Sequence, residues 1–412
     1  MSTPNSPQNR PVEDERANQR NALAAGFLGW TLDAFDFFVL TFVMAPVAHD
    51  FGVSVVAIAA TITASLAMRP VGAFIFGLLA DRYGRRWPLM LDVIFYSIIE
   101  VLSGLAPNYR VFFALRMLYG IGMGGEWGVG ASLAMETVPR RWRGVLSGLL
   151  QEGYAFGNLL AAAVYPLVFP HWGWRAMFFV GGLPALLALF IRAKVKESEA
   201  WRQSRTDWHA YGKAIFRHWR LFLYMVLLMT TMNSISHGTQ DLYPTLLQRQ
   251  RHFSPQVTAT ITMISMVGAI LGGLLFGLYS DRRGRRRAMV TAVVFALLLT
   301  PAWVLSSSVP LIIPAAFLMQ FMVQGAWGVI PVHLNELSPG ALRGFFPGFA
   351  YQLGVLFASS ITVLEAILAK HLTYAQSLGM LAALVLLIGI PVIGLGPEAK
   401  GVEFAGTISD RE

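Results

Sequence analysis

The chain has 412 residues, of which 55% are hydrophobic and only 13% are charged, about half of the charged fraction usual in soluble proteins. This composition excludes an ordinary water-soluble protein. The net charge of +9 comes mainly from basic residues in short connections between apolar segments, which indicates membrane orientation and not a nucleic-acid surface. The absence of cysteine excludes disulfides, thiolate metal sites and thiol redox chemistry.

Charge-poor apolar segments recur along the chain, and each is long enough to cross roughly 30 Å of hydrocarbon as a helix. We predict an all-α polytopic membrane protein with twelve spans. The spans lie near residues 22–45, 55–80, 88–106, 110–135, 145–168, 174–192, 219–247, 255–280, 287–308, 311–336, 345–370 and 375–396. Short connections use the remaining residues, so we expect no appended soluble domain.

The spans divide into an N-terminal half at 21–192 and a C-terminal half at 219–396, joined by a basic connection at 193–218. The polar tails at 1–20 and 397–412 complete the chain, and the first is predicted to be disordered. Residues 1–20 lack the pattern of a signal peptide, so the first apolar segment is predicted to be a retained span.

Basic residues are distributed unequally between the two sides of the predicted bundle. With a cytoplasmic N-terminus, about 25 of the 32 Lys and Arg fall on the cytoplasmic side and about five outside. Both termini are therefore predicted to be cytoplasmic. The absence of cysteine and of N-x-Ser/Thr acceptors is compatible with a bacterial inner membrane.

An internal repeat relates the two halves. GLLADRYGRR begins at Gly77 and GLYSDRRGRR begins at Gly277, an offset of 200 that also pairs Glu136 with Glu336. One register aligning separate helix ends predicts two six-helix halves related by a pseudo-two-fold axis along the membrane normal. Halves that rock about a site at the membrane midplane are typical of transporters.

The repeated loop G-x-L-x-D-R-x-G-R-R resembles the signature loop of the major facilitator superfamily. RMLYGIGMGGE, VKESEAW and GPEAKGVEF are similar to markers of the sugar-porter and sialate:proton symporter branches. NSISHGTQDLYPT, from Asn233 to Thr245, resembles the span-seven signature of fungal lactate/pyruvate permeases and their bacterial relatives, for which the resemblance implies proton-coupled monocarboxylate uptake. Together the similarities cover the chain from Asn21 to Phe404.

Spans one, four, seven and ten line the central cavity in this superfamily. In span seven, Asn233, His237 and Asp241 fall at i, i+4 and i+8, with Gln240 beside this stripe. Lipid cannot satisfy these groups, so they are predicted to face protein or water and to contact substrate. His237 and Asp241 are spaced to interact and could donate to a substrate carboxylate or carry a proton; the alternative is an interhelical clamp.

Span one contains Asp33 and Asp36, one turn apart in an apolar segment. Two such carboxylates cannot both ionise cheaply, so at least one is predicted to hold a proton or pair with a cation. We expect a proton-coupling role for Asp33, Asp36 and Asp241, and for Glu126 of span four. The alternative for span one is that one of the two carboxylates forms a structural ion pair and the other faces water.

Arg69 lies in the middle of span two and requires a carboxylate from the protein or from the substrate. We predict that it binds substrate, with Asp36 as its resting partner. Arg116 is the competing candidate, and a structural salt bridge is the alternative for each. Gln352 of span eleven is predicted to add a polar group to the cavity wall or to serve the fold.

The repeated loops are predicted to latch helices at the cytoplasmic face and to act as a gate through Asp81, Arg85, Asp281 and Arg285. The chain has no phosphate-binding G-x-x-x-x-G-K-S/T motif, so we do not expect ATP to drive transport.

These features predict a secondary active transporter that takes up short monocarboxylates such as lactate and pyruvate with a proton. A sialate:proton symporter and an exporter of organic anions or drugs are the alternatives of the same fold, whereas the repeated loops disfavour a channel or receptor. We expect no enzyme activity, no cofactor and no metal. The expected partners are a small organic anion, a proton and the lipid bilayer, with the protein acting as a monomer.

Overall fold

The chain folds into two helical halves in a computed structural model, which describes residues 12–205 and 208–404. Throughout these ranges every element of regular secondary structure is helical. The parts of the predicted tails at 1–11 and 405–412, and residues 206–207 of the connection, lie outside the described residues.

The N-terminal half contains seven helices that build six membrane crossings. They are α1 (Val12–Asp50), α2 (Val55–Tyr83), α3 (Arg86–Gly104), α4 (Tyr109–Thr137), α5 (Arg143–Gln151), α6 (Gly153–Val180) and α7 (Ala185–Lys194). The sixth crossing is divided, since α6 leaves helical geometry at Gly173 (φ 72°) and ends before α7 begins.

The connection between the halves forms two short helices, α8 (Glu199–Ser204) and α9 (Trp208–Arg217). The C-terminal half follows with nine helices. They are α10 (Trp219–Gln240), α11 (Tyr243–Thr245), α12 (Pro255–Arg283), α13 (Arg285–Leu305), α14 (Val309–Gly328), α15 (Ile330–Leu337), α16 (Phe346–Ala358), α17 (Ser360–Leu368) and α18 (Tyr374–Gly394).

Nine helical segments in the described chain are long and apolar enough to span a membrane, and one of them, Arg140–Lys194, is long enough for two crossings. The two remaining crossings are α4 and the segment that begins with α10, both of which carry polar residues of the central region. The twelve-helix architecture predicted from the sequence is confirmed.

The repeated loops turn in the same way in both halves. Gly84 and Gly284 have φ values of 106° and 105°, a conformation that a residue with a side chain rarely adopts. Glu197 then accepts hydrogen bonds from the first backbone N–H groups of α3, and Glu398 does the same for α13. The membrane face that carries both turns and the connection is called the loop face below.

One predicted boundary needs correction, and the structure adds detail to two other segments. Residues 12–20 of the predicted disordered tail are helical, because α1 begins at Val12. The connection is largely helical. Residues 397–404 pack onto the bundle, where the buried Phe404 ring lies 3.8 Å from the Arg143 guanidinium carbon and 3.9 Å from that of Arg343.

The orientation of the bundle can be tested by labelling, because the chain contains no cysteine. Lys213→Cys, exposed on the loop face, is expected to resist a membrane-impermeant maleimide in intact cells, since the basic loops favour the cytoplasm. Arg110→Cys, exposed at the opposite face, is the matched control and is expected to react. The reverse labelling pattern would invert the predicted topology.

Candidate functional site

Aromatic side chains fill the centre of the bundle, where the two halves meet. Tyr351 of α16 stacks on Trp127 of α4, with ring centroids 4.5 Å apart, and Trp327 of α14 meets the same tyrosine edge-on at 5.9 Å. Trp30 of α1 also contacts Tyr351 and stacks on Tyr154 of α6 at 5.5 Å. Rings from both halves therefore form a continuous cluster, called the aromatic cluster below.

Arg69 lies beside this aromatic cluster, midway along α2. Its guanidinium group neighbours the Tyr351 hydroxyl and acts electrostatically on Tyr154. The side chain is 5% exposed, and its Nε and Nη2 atoms are buried with no hydrogen-bond partner among the described residues. A buried cation with free donors is ready to bind an anion.

The backbone around Arg69 is fixed by close contact between α2 and α4. A Cβ atom at Gly124 would lie 1.9 Å from the Arg69 carbonyl oxygen, so only glycine permits this approach. Gln352, next to Tyr351 on α16, is buried, and neither of its amide atoms has a hydrogen-bond partner in the described part of the chain. The structure thus brings the unpaired donors of Arg69 to the aromatic cluster, and a buried, unsatisfied amide lies one residue from Tyr351 in the chain.

In α10, the predicted polar stripe divides between two environments. His237 Nδ1 and Asp241 Oδ2 lie 3.0 Å apart, and their side chains are 38% and 32% exposed, so the spacing correctly predicted their contact. Asn233 is buried instead and donates to the Met229 carbonyl oxygen of its own helix. The helix breaks after Asp241, just before Pro244, whose ring removes a backbone donor.

Gln240 turns away from the His237–Asp241 pair toward α14. Its Nε2 atom donates to Gln320 Oε1 at 2.9 Å, and Gln320 Nε2 donates to the Thr239 carbonyl oxygen. Both glutamines line a cavity of about 30 Å³ together with the side chains of Thr262 and Ser265. That volume accommodates a water molecule or a comparably small polar group.

In α1, the predicted resting pair of Asp36 with Arg69 is wrong. Both Asp36 carboxylate oxygens lack a hydrogen-bond partner among the described residues, and the nearest cation that acts on them is Arg116. Arg69 acts on Asp33 instead, while the Tyr119 hydroxyl donates to the Asp33 carbonyl oxygen at 3.0 Å. The physical reason is depth, because Asp36 lies about one helical turn further from the loop face than Asp33.

Arg116 has the structural role that the sequence left open for it. Its guanidinium forms a buried ion pair with Glu100 of α3 and donates to Ser103 Oγ at 2.8 Å. The guanidinium carbon also lies 4.3 Å from the centroid of the Tyr119 ring. These contacts occupy the cation, so Arg116 does not compete with Arg69 as a free anion site.

The sequence analysis missed two intramembrane carboxylates on α3, Asp92 and Glu100, both fully buried. A further buried carboxylate, Glu365 of α17, has no partner for either oxygen in the described ranges. The sequence pattern could have predicted Asp92 and Glu100, because an acidic residue inside an apolar run such as LDVIFYSIIE indicates a functional or paired group. Glu126 of α4 is also fully buried and packs directly against Gly29 of α1.

The predicted gating residues form a reciprocal latch at the loop face. Asp81 accepts hydrogen bonds from the backbone N–H groups of Gly344, at 2.6 Å, and Phe345, at 3.1 Å, just before α16 of the other half. In the symmetric position, Asp281 accepts from the first N–H groups of α5, those of Gly144 and Val145. Each carboxylate thus caps a helix start in the opposite half, where the helix dipole favours negative charge.

Arginines hold both latch carboxylates in place. Arg85 pairs with Asp81 at 2.6 Å and with Glu136 of α4 at 2.9 Å. Arg285 pairs in the same way with Asp281, at 2.7 Å, and with Glu336, at 2.9 Å. The structure places all four predicted gating residues at the contact between the halves.

The connection adds an asymmetric contact to the latch of the first half. Tyr211 of α9 donates its hydroxyl to Asp81 Oδ2 at 3.0 Å, and Trp201 Nε1 donates to the Asp81 carbonyl oxygen at 2.7 Å. Burial and the neighbouring Asp81 charge raise the pKa of Tyr211 above its ordinary value, so this hydroxyl remains a donor.

Two helical halves, joined at one face around a buried cation with unpaired nitrogens at mid-depth, are the arrangement expected of a membrane transporter. The chain belongs to the Major Facilitator Superfamily, whose family model matches residues 26–362 and 242–407. The family assignment made from the repeated loop is confirmed. The members compared below are described as transporters.

Three relatives match most of this chain. It is 30% identical to a carboxylic acid transporter protein homolog of Saccharomyces cerevisiae over 85% of this chain, which spans 61% of the yeast protein's length. It is 29% identical to the sialic acid transporter NanX of Escherichia coli, covering 91% of this chain and 95% of NanX. It is 30% identical to a probable 4-methylmuconolactone transporter of Cupriavidus pinatubonensis, covering 93% and 92% of the two chains.

Solved structures support the same fold. The proton:xylose symporter XylE superposes with a TM-score of 0.76 at 19% identity, covering 95% of this chain and 98% of XylE. The human organic anion transporter MFSD10 superposes with a TM-score of 0.70 at 15% identity, covering 91% and 99%. At these identities the likeness concerns the arrangement of helices.

Asp81→Asn tests the latch, because it removes the charge that accepts the Gly344 and Phe345 N–H groups. A lost charge-assisted hydrogen bond costs about 1–3 kcal/mol, so the ratio of closed to open molecules at the loop face is expected to fall about tenfold or more. Double electron–electron resonance between spin labels at Tyr83 and Arg283, one on each loop, would measure the distribution of distances between the two loops.

Asp50→Asn is the control for this measurement, because Asp50 forms an exposed ion pair with Arg175 away from the loop face. The control is expected to keep the wild-type distances. An unchanged distribution in Asp81→Asn would show that the contact between Asp81 and the other half does not hold the loop face closed.

Proposed function

We propose that this transporter takes up small carboxylates together with protons, by alternating access between its two halves. The substrates proposed are short monocarboxylates such as lactate and pyruvate. The observation that carries the proposal is the guanidinium of Arg69, buried at the meeting point of the halves, of which two nitrogens have no hydrogen-bond partner among the described residues. A planar fork of donors matches a carboxylate with two parallel hydrogen bonds.

The surroundings of Arg69 suit a carboxylate on a small body. Tyr351 of the C-terminal half adds a hydroxyl beside the cation, with the unsatisfied amide of Gln352 next in the chain, while Trp127 and Trp30 supply apolar walls. An anion bound there would contact both halves at once. Its binding energy could therefore favour the rearrangement in which the halves move relative to each other.

The His237–Asp241 pair provides a second polar group on the way to Arg69. Its partial exposure makes it accessible, and Tyr154 lies within the electrostatic reach of both Asp241 and Arg69. We infer that a carboxylate arriving from the side opposite the loop face meets His237 first and Arg69 second. This role agrees with the resemblance of the α10 motif to lactate/pyruvate permeases.

Proton coupling follows from the neighbourhood of Asp33 and Arg69. While the site is empty, the Arg69 charge stabilises the Asp33 carboxylate. A bound substrate anion neutralises Arg69, and Asp33 then becomes easier to protonate. Proton and anion thus bind cooperatively and cross as a neutral pair, which avoids the cost of carrying net charge through a closed intermediate.

The relatives are compatible with two different classes of substrate. The yeast relative is described as a carboxylic acid transporter homolog and the E. coli relative as a sialic acid transporter. The small acid is favoured here because aromatic rings already fill the space beside Arg69 and the cavity at Gln240 measures only about 30 Å³. Buried charges of both signs argue against an exporter of apolar drugs.

The proposed setting is a bacterial inner membrane, with both termini in the cytoplasm and the protein acting as a monomer. The basic residues of the loop face support this orientation. In it, the latches close the cytoplasmic side, and the site around Arg69 faces outward.

Arg69→Lys is expected to lower kcat/KM for carboxylate uptake by about 10- to 100-fold, because lysine keeps the charge but loses two parallel donors. Initial rates in proteoliposomes, together with the melting temperature, would separate lost binding from lost folding. Arg175→Lys, an exposed arginine paired with Asp50, is the control and should retain wild-type uptake. Wild-type kinetics in Arg69→Lys would remove this residue from the binding site.

Substrate competition tests the size and charge of the proposed substrate. Lactate, pyruvate and acetate are expected to inhibit uptake of labelled lactate, because each presents one carboxylate on a small body. Sialate and neutral sugars are expected to be weak inhibitors, since the first is bulky and the second lack the anion that Arg69 requires. Efficient transport of sialate with no response to lactate would favour the alternative substrate.

A further inference from the structure

The interior of the N-terminal half contains more acids than bases. Away from the loop face, and apart from Glu152 at the break between α5 and α6, the described part of its membrane-embedded helices buries five carboxylates but only two guanidinium groups, an excess of three negative groups if all were ionised. Because an uncompensated charge is costly in this environment, the excess carboxyl groups hold protons. The five carboxylates are Asp33, Asp36, Asp92, Glu100 and Glu126, and the two guanidinium groups belong to Arg69 and Arg116.

Four of these carboxylates follow one another through the half and are called the carboxylate chain. They are Asp36, Asp33, Glu126 and Asp92, all fully buried. Each acts electrostatically on the next, Asp33 on Asp36, Asp33 on Glu126, and Glu126 on Asp92. None of the four forms an ion pair within 4 Å in the described residues, and seven of their eight oxygens have no hydrogen-bond partner.

The carboxylate chain extends along the membrane normal. At one end, Asp36 Oδ1 and the side chain of Glu100 both lie against Gly181, at the break between α6 and α7. At the other end, Asp92 is about 9 Å along α3 from Arg86, where that helix begins at the loop face. Asp92 and Glu100 are about 12 Å apart along the same helix, so the carboxylate chain covers somewhat more than a third of the roughly 30 Å apolar core.

A separate observation points to a proton as the occupant. Tyr96 lies within electrostatic reach of all four carboxylates, is completely buried, and its hydroxyl has no hydrogen-bond partner in the described ranges. A hydroxyl can donate and accept at once, which is what proton transfer between neighbouring carboxyl groups requires. Among the described residues, no group of three acidic or histidine side chains is arranged to hold a metal ion.

We propose that the carboxylate chain conducts the coupled proton through the interior of the N-terminal half, and that Asp92 is its terminus toward the loop face. The proton then follows a route distinct from that of the substrate, which occupies the space between the halves. Asp33 joins the two routes, because it interacts with Arg69 on one side and with Glu126 on the other. This inference rests on the proposed function of proton-coupled carboxylate uptake.

The groups that act on Asp92 are Glu126 of α4, Asp33 of α1 and Tyr96 of its own helix. None of them is a cation, so a proton at Asp92 is not displaced by a permanent positive neighbour. Arg116 is held by Glu100 at the far end of the chain. Protonation and release at Asp92 thus depend on its acidic neighbours and on access from the loop face.

The test uses the complete protein in proteoliposomes with a trapped pH indicator and labelled lactate. Asp92→Asn is expected to lower lactate accumulation driven by a pH gradient by about tenfold or more, because an amide cannot relay a proton. Exchange of labelled for unlabelled lactate needs no net proton movement and should stay within about twofold of wild type. Asp92→Glu, which retains a carboxyl group, should restore accumulation and move its pH profile.

Glu152→Gln is the matched control, a buried carboxyl group of the same half on which no other charged group acts. It should accumulate lactate as the wild type does. Accumulation by Asp92→Asn equal to that of Glu152→Gln would overturn the inference. So would a parallel loss of exchange, accumulation and thermal stability in both Asp92→Asn and Asp92→Glu, because that pattern identifies a structural residue.

Two further outcomes separate this inference from the function on which it rests. If sodium, rather than a pH gradient, drives accumulation in the wild type, the carboxylate chain binds a cation and the proton route is wrong. If the wild type takes up no carboxylate at all, the proposed function fails and the inference fails with it. If wild-type uptake is proton-coupled and Asp92→Asn accumulates lactate as the wild type does, the inference is overturned but the proposed function is not.

Discussion

The requirement that buried charge be balanced inside the protein governs this structure. In the apolar interior, water cannot compensate an ionised side chain, so every guanidinium and carboxylate must find a partner or, for the carboxylate, a proton. Arg116 satisfies the rule through Glu100, and Arg85 satisfies it through Asp81 and Glu136. Arg69 satisfies it least completely, because two of its nitrogens have no hydrogen-bond partner among the described residues. Arg69 is therefore the candidate site for an anion.

The aromatic cluster explains how a local binding event could reach the whole bundle. Tyr351 of the C-terminal half stacks on Trp127 of the other half, meets Trp327 of its own half edge-on, and neighbours Arg69. A ligand at Arg69 must therefore contact or displace rings that join the halves. Packed rings shift between discrete arrangements more readily than they deform, so a small anion could change the relative position of two six-helix units.

Sequence patterns predicted the architecture well because it depends on features that are local or repeated. The span lengths predict membrane crossings, and the 200-residue repeat predicts two related halves. The i, i+4 spacing of His237 and Asp241 predicts that their side chains lie on one face of the helix. The partner of Arg69 could not be obtained this way, because it depends on the relative depth of side chains on different helices. Asp33 and Asp36 differ by about one turn, and only helix packing shows which of them lies near Arg69.

The latch described at the loop face has the geometry of a symmetric dimer. Asp81 binds Gly344, and Asp281 binds Gly144, so the same pair of positions meets twice with donor and acceptor exchanged. Such reciprocity is the hallmark of an isologous interface between identical subunits. A single six-helix protein carrying one copy of this loop and one copy of this helix start would have formed both contacts on self-association. The present chain is consistent with a gene duplication that fused two such subunits and preserved their original interface.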